Sequence, residues 1–203
     1  RVESFGPPTA KERRFPFMWR CFKRIPARGE MVVFDRSEYE ETLVVRVPPK
    51  ILAGQQLPKE RLDKGIWQRR YEAFRSFEEY LHSEGIVTCK FLLHVTWKEQ
   101  GKRLKARMDD RSKNDKVSER DVAERDFWND YDRAFEDTVR NSATRIAPWV
   151  VVPADKKWFA RLVVTSYLVT VLDSLGLKFP KLSKKQAEII KSARKKLAMQ
   201  KKK

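Results

Sequence analysis

The sequence predicts an α/β fold, a parallel sheet with helices on both faces, and three observations carry that reading. Short apolar runs alternate with helix-length amphipathic segments. The run at 30–34 is nearly continuous in apolar residues, as a strand covered on both faces is. Each pair of successive runs is separated by a segment long enough for the helical crossover that parallel strands need. The 203 residues suit one such domain with a sizeable core. Twelve Phe and six Trp supply large buried surface and exclude a disordered chain.

The elements follow in order. Val2-Glu3-Ser4-Phe5 reads as a strand, and Gly6-Pro7-Pro8 as a turn, with Thr9 as N-cap of a helix over residues 10 to about 25. Phe15, Met18, Trp19 and Phe22 share one face of that helix, the face expected to be buried, and Pro26 and Gly29 end it. Residues 30–34 form a second strand, with Asp35-Arg36-Ser37 at its C-terminal tip. A loop holding Pro48, Pro49, Gly54 and Pro58 leads to a helix over about 64–83, which Gly85 stops. Residues 86–95 are the third strand. Thr96 caps a helix over 97–108. After a charged stretch, Ser118 and Asp121 approximate a capping box for a helix running to about 142. Residues 149–152 make a fourth strand and 156–175 a helix. The end, 184–203, is a basic helix with a thin apolar stripe of Ile190, Ala193 and Leu197.

Charge narrows the function. Forty-five Lys and Arg against twenty-eight Asp and Glu leave +17, so the partner is a polyanion: nucleic acid, anionic lipid or a phosphate polymer. Residues 184–203 contribute +8 of this and the rest of the chain +9. Two cysteines, Cys21 and Cys89, offer neither a disulfide framework nor metal spacing, which fits a reducing cytoplasm. No signal peptide is visible, and the most apolar stretch, 162–177, contains Thr165, Ser166 and Asp173 and is too short to span a bilayer, so no membrane partner is expected. The chain starts at Arg1 inside what reads as a strand, which predicts a further N-terminal part.

Three constellations carry the candidate chemistry. Asp35 and Arg36 sit at a strand tip, where open parallel sheets bind ligands. An acid there can hold a metal or orient an attacking oxygen, and an Arg can neutralise transferring charge; a surface Asp–Arg pair in a turn is the equal alternative. The stretch 98–125 holds ten basic residues, among them Arg103, Arg107, Lys116, Arg120 and Arg125. Two helices flanking a polar loop can act as a hinged lid bringing guanidinium groups over phosphates. Seven acids in the same stretch keep a salt-bridged hairpin open as the other reading. Asp155, Lys156 and Lys157 follow the last strand and could line a nucleotide, or Asp155 could simply cap a helix. Gly-x-Ser-x-Gly, His-Glu-x-x-His and Gly-x-x-x-x-Gly-Lys-Ser/Thr are all missing, and His82 and His94 have no evident partners.

In this order the segments resemble the polyphosphate kinase 2 family. The resemblance rests on Ser4-Phe5-Gly6-Pro7-Pro8-Thr9, on Trp19-Arg20, and on a Walker-B-like Phe34-Asp35-Arg36-Ser37-Glu38-Tyr39-Glu40-Glu41 running into Leu43-Val44-Val45-Arg46-Val47. It continues through Arg103-Leu104, Arg107-Met108-Asp109-Asp110, Lys116, Ser118, Asp121, Arg125, Trp128 and Tyr131, and ends on Ala147-Pro148-Trp149, Pro153-Ala154-Asp155 and Lys157-Trp158-Phe159. It reaches about residue 180. Each piece is weak alone; the ordered set is specific. The family's lid often has aromatics where this chain has Asp115 and Val117.

The resemblance implies a P-loop kinase-like three-layer α/β sandwich with a helical lid, N-terminally incomplete. The core would cover 1–183, the lid about 98–125, and 184–203 would be a basic tail. It implies Mg²⁺-dependent phosphoryl transfer between polyphosphate and AMP or ADP. Residues 43–47 look most like the branch that accepts nucleoside mono- and diphosphates. Asp35 would be the catalytic and metal-holding acid, with Arg36 as its catalytic partner. Arg46, Arg103, Arg107, Lys116, Arg120 and Arg125 would contact phosphate, and Asp155 and Lys157 the nucleotide. The family's Walker A loop would lie upstream of Arg1. An ATP-dependent nucleotide kinase and a non-enzymatic nucleic-acid binder are the alternatives; Trp19, Phe22, Trp149 and Phe159 lie in apolar patterns, which argues against the second. A homo-oligomer is left open.

Overall fold

The computed structural model describes residues 1–179 and 181–200, without the side chains of Pro49, Asp115 and Lys116. It forms two compact units, residues 1–161 and 162–203. Their division lies inside a helix, upstream of the 183/184 boundary drawn from the change in charge.

Four strands pair in parallel, as expected. β1 (Val2–Ser4) runs beside β2 (Val33–Asp35), with Val2 opposite Val33 and Ser4 opposite Asp35. β3 (Lys90–His94) runs beside β4 (Trp149–Pro153), from Lys90 opposite Trp149 to His94 opposite Pro153. Among the described residues the two pairs are not hydrogen-bonded to each other, so the sheet comes as two parallel ladders. The chain leaving β1, the turn leaving β2 and the C-terminal half of β3 all open on one cleft.

The core of the first unit forms around α3 (Ile66–Ser83). Its residues Ile66, Arg70, Tyr71, Phe74, Phe77, Glu78 and Leu81 recur at three- and four-residue spacing and are buried. Phe5, Met18, Cys21, Tyr39, Leu43 and Ala134 complete the cluster. The Tyr39 ring lies 4.7 Å from Phe74 and 4.6 Å from Trp149. α6 (Trp128–Ser142) turns Ala134, Thr138 and Ser142 inward, three small residues one turn apart. Their size lets α6 approach closely, and the buried Thr138 and Thr42 hydroxyls meet at 2.9 Å.

Three expectations are corrected. The helix over 10–25 is instead a 3₁₀ turn (Glu12–Arg14) followed by the one-turn α1 (Trp19–Phe22). Pro16 lies between them; it lacks an amide hydrogen and its ring clashes with the preceding turn. Thr9 does cap, reciprocally, with Glu12: the Glu12 amide donates to Thr9 Oγ1 at 3.2 Å and the Thr9 amide to Glu12 Oε2 at 2.8 Å. Met18 is buried, but Phe15 and Phe22 are exposed, Phe15 stacking on Trp19. Second, β2 is not covered on both faces. Met31 and Val33 are 52% and 51% exposed, and only the alternate Phe34 packs inward, against Phe5 at 4.9 Å. A run of apolar residues says that a strand is apolar, not which of its faces meet a neighbour. Third, the helix after Ser118 is interrupted: α5 (Glu119–Ala123) passes through a 3₁₀ stretch (Glu124–Phe127) before α6 begins.

The remaining helices are α2 (Pro49–Ala53), α4 (Trp97–Asp109), α7 (Lys157–Ser174) and α8 (Lys184–Met199). The capping signals read at Thr96 and Ser118 are present as well. Thr96 Oγ1 accepts from the Glu99 amide, and Ser118 and Asp121 form a full capping box. Cys21 and Cys89 are free thiols. No helix of the described residues is long and apolar enough to cross a membrane.

Candidate active site

The site is built from the tips of β1 and β2. The Phe5 amide donates to the Asp35 carbonyl at 2.9 Å, and Ser4 Oγ donates to Asp35 Oδ2 at 3.1 Å. Asp35 is exposed there, oriented by its neighbour strand. Arg36 follows with φ of +64°. A residue with a Cβ pays of the order of 1 kcal/mol or more for this left-handed conformation, so the surroundings must hold it. They do: Ser37 Oγ accepts from the Tyr39 amide at 3.4 Å, Glu38 and Tyr39 are buried, and Glu40 lies 4.0 Å from the Arg36 guanidinium. The strain turns the chain abruptly away from the sheet and aims Arg36 into the cleft.

The cleft has a volume of about 1180 Å³. Segment 5–21, the turn after Arg36, the segment 50–70 with α2 and the start of α3, the tip of β3 and the start of α6 wall it. Arg36 and Arg120 both line it, from segments far apart in the chain, and so does Asp121. Asp35 stands one residue before the lining Arg36.

The structure places the other expected residues elsewhere. Arg46 is held by Tyr71 Oη at 2.8 Å, by Asp137 at 2.7 Å and over the Trp67 ring, away from the cleft. Arg103 donates to the Ala154 and Asp155 carbonyls at 2.7 and 2.9 Å and pairs with Glu99 at 2.9 Å. Arg125 stacks over Trp97 and donates to Gln100. Arg107 is exposed on α4. The Asp155 carboxylate accepts from the Thr96 amide and hydroxyl at 2.8 and 2.9 Å, which together hold it below the usual carboxylate range and tie the β4–α7 connection to the start of α4. Lys157 is exposed at the first turn of α7. The Lys116 side chain lies outside the described residues.

The cleft also gathers residues that the sequence reading did not assign to it. Arg13, Arg20, Lys50, Arg61, Arg69 and Arg70 line it. Arg70 is buried between Glu41 at 3.3 Å, Gln55 at 2.7 Å and the Phe17 ring at 4.0 Å, and Arg20 donates to the Gly6 carbonyl. The one available signal was the run of basic residues following Pro48, Pro49 and Pro58, where prolines mark a loop free to fold over a neighbouring site.

Beneath the cleft lies an ionisable cluster. The Lys90 ammonium contacts both oxygens of Glu78, at 2.8 and 3.1 Å, and the Ser142 carbonyl at 2.8 Å; Tyr39 Oη donates to Glu78 as well. Burial pulls both partners toward their neutral forms, and their mutual contact opposes it. Glu38 has no such partner, and burial pushes its carboxyl up to about 7.

Among the described residues no group of three or more His, Cys, Asp or Glu side chains could hold a metal. Asp35 is a single carboxylate. That suits a cation which keeps water and takes its remaining ligands from substrate phosphates, as Mg²⁺ does, and not one needing a protein cage.

Comparison with known proteins adds a family and relatives. The family model of polyphosphate kinase 2 matches residues 1–179. The ADP-polyphosphate phosphotransferase of Rhodopseudomonas palustris is 41% identical over 181 residues, and the AMP/ADP-polyphosphate phosphotransferase of Meiothermus ruber is 40% identical over 180. Each alignment covers 89% of this chain and 63% of the relative, so the chain spans less than two thirds of those proteins' length. A crystal structure of polyphosphate kinase 2 from Arthrobacter aurescens superposes with a TM-score of 0.83 at 39% identity, covering 94% of this chain and 65% of that one.

Proposed function

The chain belongs to the polyphosphate kinase 2 family and has its α/β fold, and from this we propose that the protein transfers a phosphoryl group between inorganic polyphosphate and a nucleoside mono- or diphosphate, AMP or ADP. The observation that carries the reading is the strained Asp35–Arg36 turn at the tips of a parallel strand pair, opening on a cleft that Arg120 also lines.

Phosphoryl transfer asks little covalent chemistry of a protein; it asks for positioning and charge. Asp35, fixed by Ser4, would hold Mg²⁺ through one carboxylate and orient the accepting phosphate oxygen. The metal, when bound, neutralises phosphate charge. Arg36 has a planar fork suited to the equatorial oxygens of the transferring group. Arg120 would meet the same group from the lid side. Arg103 and Arg125 are tied to α4 and its neighbours, so they would act by setting the pose of the lid, with Arg107 as its exposed cation and Lys116 as a further phosphate contact. Asp155 and Lys157 would meet the nucleotide only after the Thr96 contact rearranges, and Arg46 would serve phosphate only if its Asp137 pair opened. Donor phosphates need a further cradle; the family's Gly-rich loop is not among the 203 residues.

The test is Asp35→Asn in the full encoded protein. The change keeps the shape and removes the charge. Transfer falls by about a hundredfold or more while the melting temperature is kept, the scale expected for a key electrostatic group. Near-normal turnover in that variant places the chemistry elsewhere.

A further inference from the structure

Glu38 is a buried ionisable group for which the proposed mechanism has no use. Its residue is 9% exposed, and its Oε2 has no hydrogen-bond partner. The groups facing it come from three elements and its own turn. From α1 comes the Cys21 thiol, which donates to it; from α3 the Glu78 carboxylate; from β3 the Lys90 ammonium; and beside it Tyr39. Lys90 is committed to Glu78 and to the Ser142 carbonyl, and Tyr39 Oη to Glu78. Arg75 and Arg20 act on Glu78 and on Cys21, so of the two carboxyls Glu38 is the one without an ion-pair partner. A buried carboxyl left without a paired counter-charge is far less costly neutral than ionised.

Glu38 is also the first residue of the 3₁₀ helix (Glu38–Thr42) that pins the left-handed Arg36, and it borders the cleft. We propose, resting on the functional reading above, that Glu38 is a positioning residue whose protonated form keeps the Asp35–Arg36 turn in its active geometry. Ionised, it draws toward cleft water and away from Glu78, and the Arg36 turn loses its anchor. Burial raises its proton affinity into the neutral range, with its own backbone amide, Cys21 and Lys90 opposing the effect and Glu78 adding to it, so the change falls near pH 7.

The experiment compares the full encoded protein with Glu38→Gln, a neutral isostere. A single proton titrating near pH 7 leaves about one tenth of the molecules protonated at pH 8 and nine tenths at pH 6. In the native protein kcat/KM for polyphosphate and ADP therefore falls about tenfold from pH 6 to pH 8. The variant loses that limb and changes less than about twofold. Two readouts need no substrate. Amide exchange over residues 35–42 is faster in the native protein than in the variant at pH 8, and equal at pH 6. Infrared difference spectra of the native protein between these pH values show a buried carboxyl losing its proton. The same alkaline limb in the variant, or no carboxyl titrating near neutrality, overturns the proposal. Exchange and infrared changes as described, with no transfer to any nucleotide, uphold the role of Glu38 and overturn the functional reading instead.

Discussion

Asp35 ends one parallel strand and Asp155 follows another, and their surroundings separate them. The Asp155 carboxylate is saturated by Thr96, while Asp35 has one hydroxyl partner and is otherwise open. Hydrogen bonds to the charged form lower the folded-state pKa of Asp155. A depressed carboxyl stabilises above its unfolded value and loses that contribution as pH falls through the folded one. Asp155→Asn therefore lowers the melting temperature at pH 7, and the gap to the native protein narrows toward pH 3. If Asp155 serves only to hold a nucleotide, the melting curves coincide and the apparent KM for nucleotide rises instead. Glu38 shows the opposite environment. Its identity was plain in the sequence, but nothing in the residues around it showed that a polar side chain inside the Walker-B-like segment would be buried without a counter-charge. Local sequence fixes a side chain's chemistry, whereas its solvation depends on α1, α3 and β3 arriving from distant positions.

At the scale of elements, α3, β3 and α6 are joined by the Glu78–Lys90 pair and its contact with Ser142. Removing one partner strands a buried charge, so Lys90→Met costs about 3–5 kcal/mol in denaturant unfolding, and adding Glu78→Met recovers much of it. A cost below about 1 kcal/mol would mean that the pair is solvated. The lid gives a second test. Arg107 is exposed on α4, so Arg107→Lys leaves the melting temperature alone. If its fork grips phosphate on closure, transfer rates fall; unchanged rates leave Arg107 a surface cation. Helix starts were legible at Thr96 and Ser118 because a cap is a local device spanning four residues. The helix over 10–25 misled because its apolar spacing was right while Pro16 forbade continuity. The break at residues 124–127 carried no such marker, and packing decided it. The strand read at 30–34 exists only as Val33–Asp35, and its uncovered face was not legible, because exposure depends on which neighbours a strand has.

For the whole molecule, charge was the most informative property of the sequence and the least specific. The +17 called for a polyanion, and only the ordered motifs said which. Deleting residues 184–203, beyond the family match at 179, removes +8 and the whole of α8. Salt-sensitive adhesion to polyanions weakens, and turnover at saturating substrate stays close to native; loss of turnover with retained folding would make α8 part of the site. The central claim is the donor. ATP is held by few cations, whereas a phosphate chain needs a track of them and binds with steep salt dependence through counterion release. The direct measurement is ATP formation from ADP by the full encoded protein, with Mg²⁺ and with short or long polyphosphate as the only donor. The account predicts ATP, with apparent affinity rising with chain length until the track is filled and falling as salt increases. No ATP from polyphosphate of any length, while ATP itself serves as donor to a nucleoside monophosphate, would contradict it.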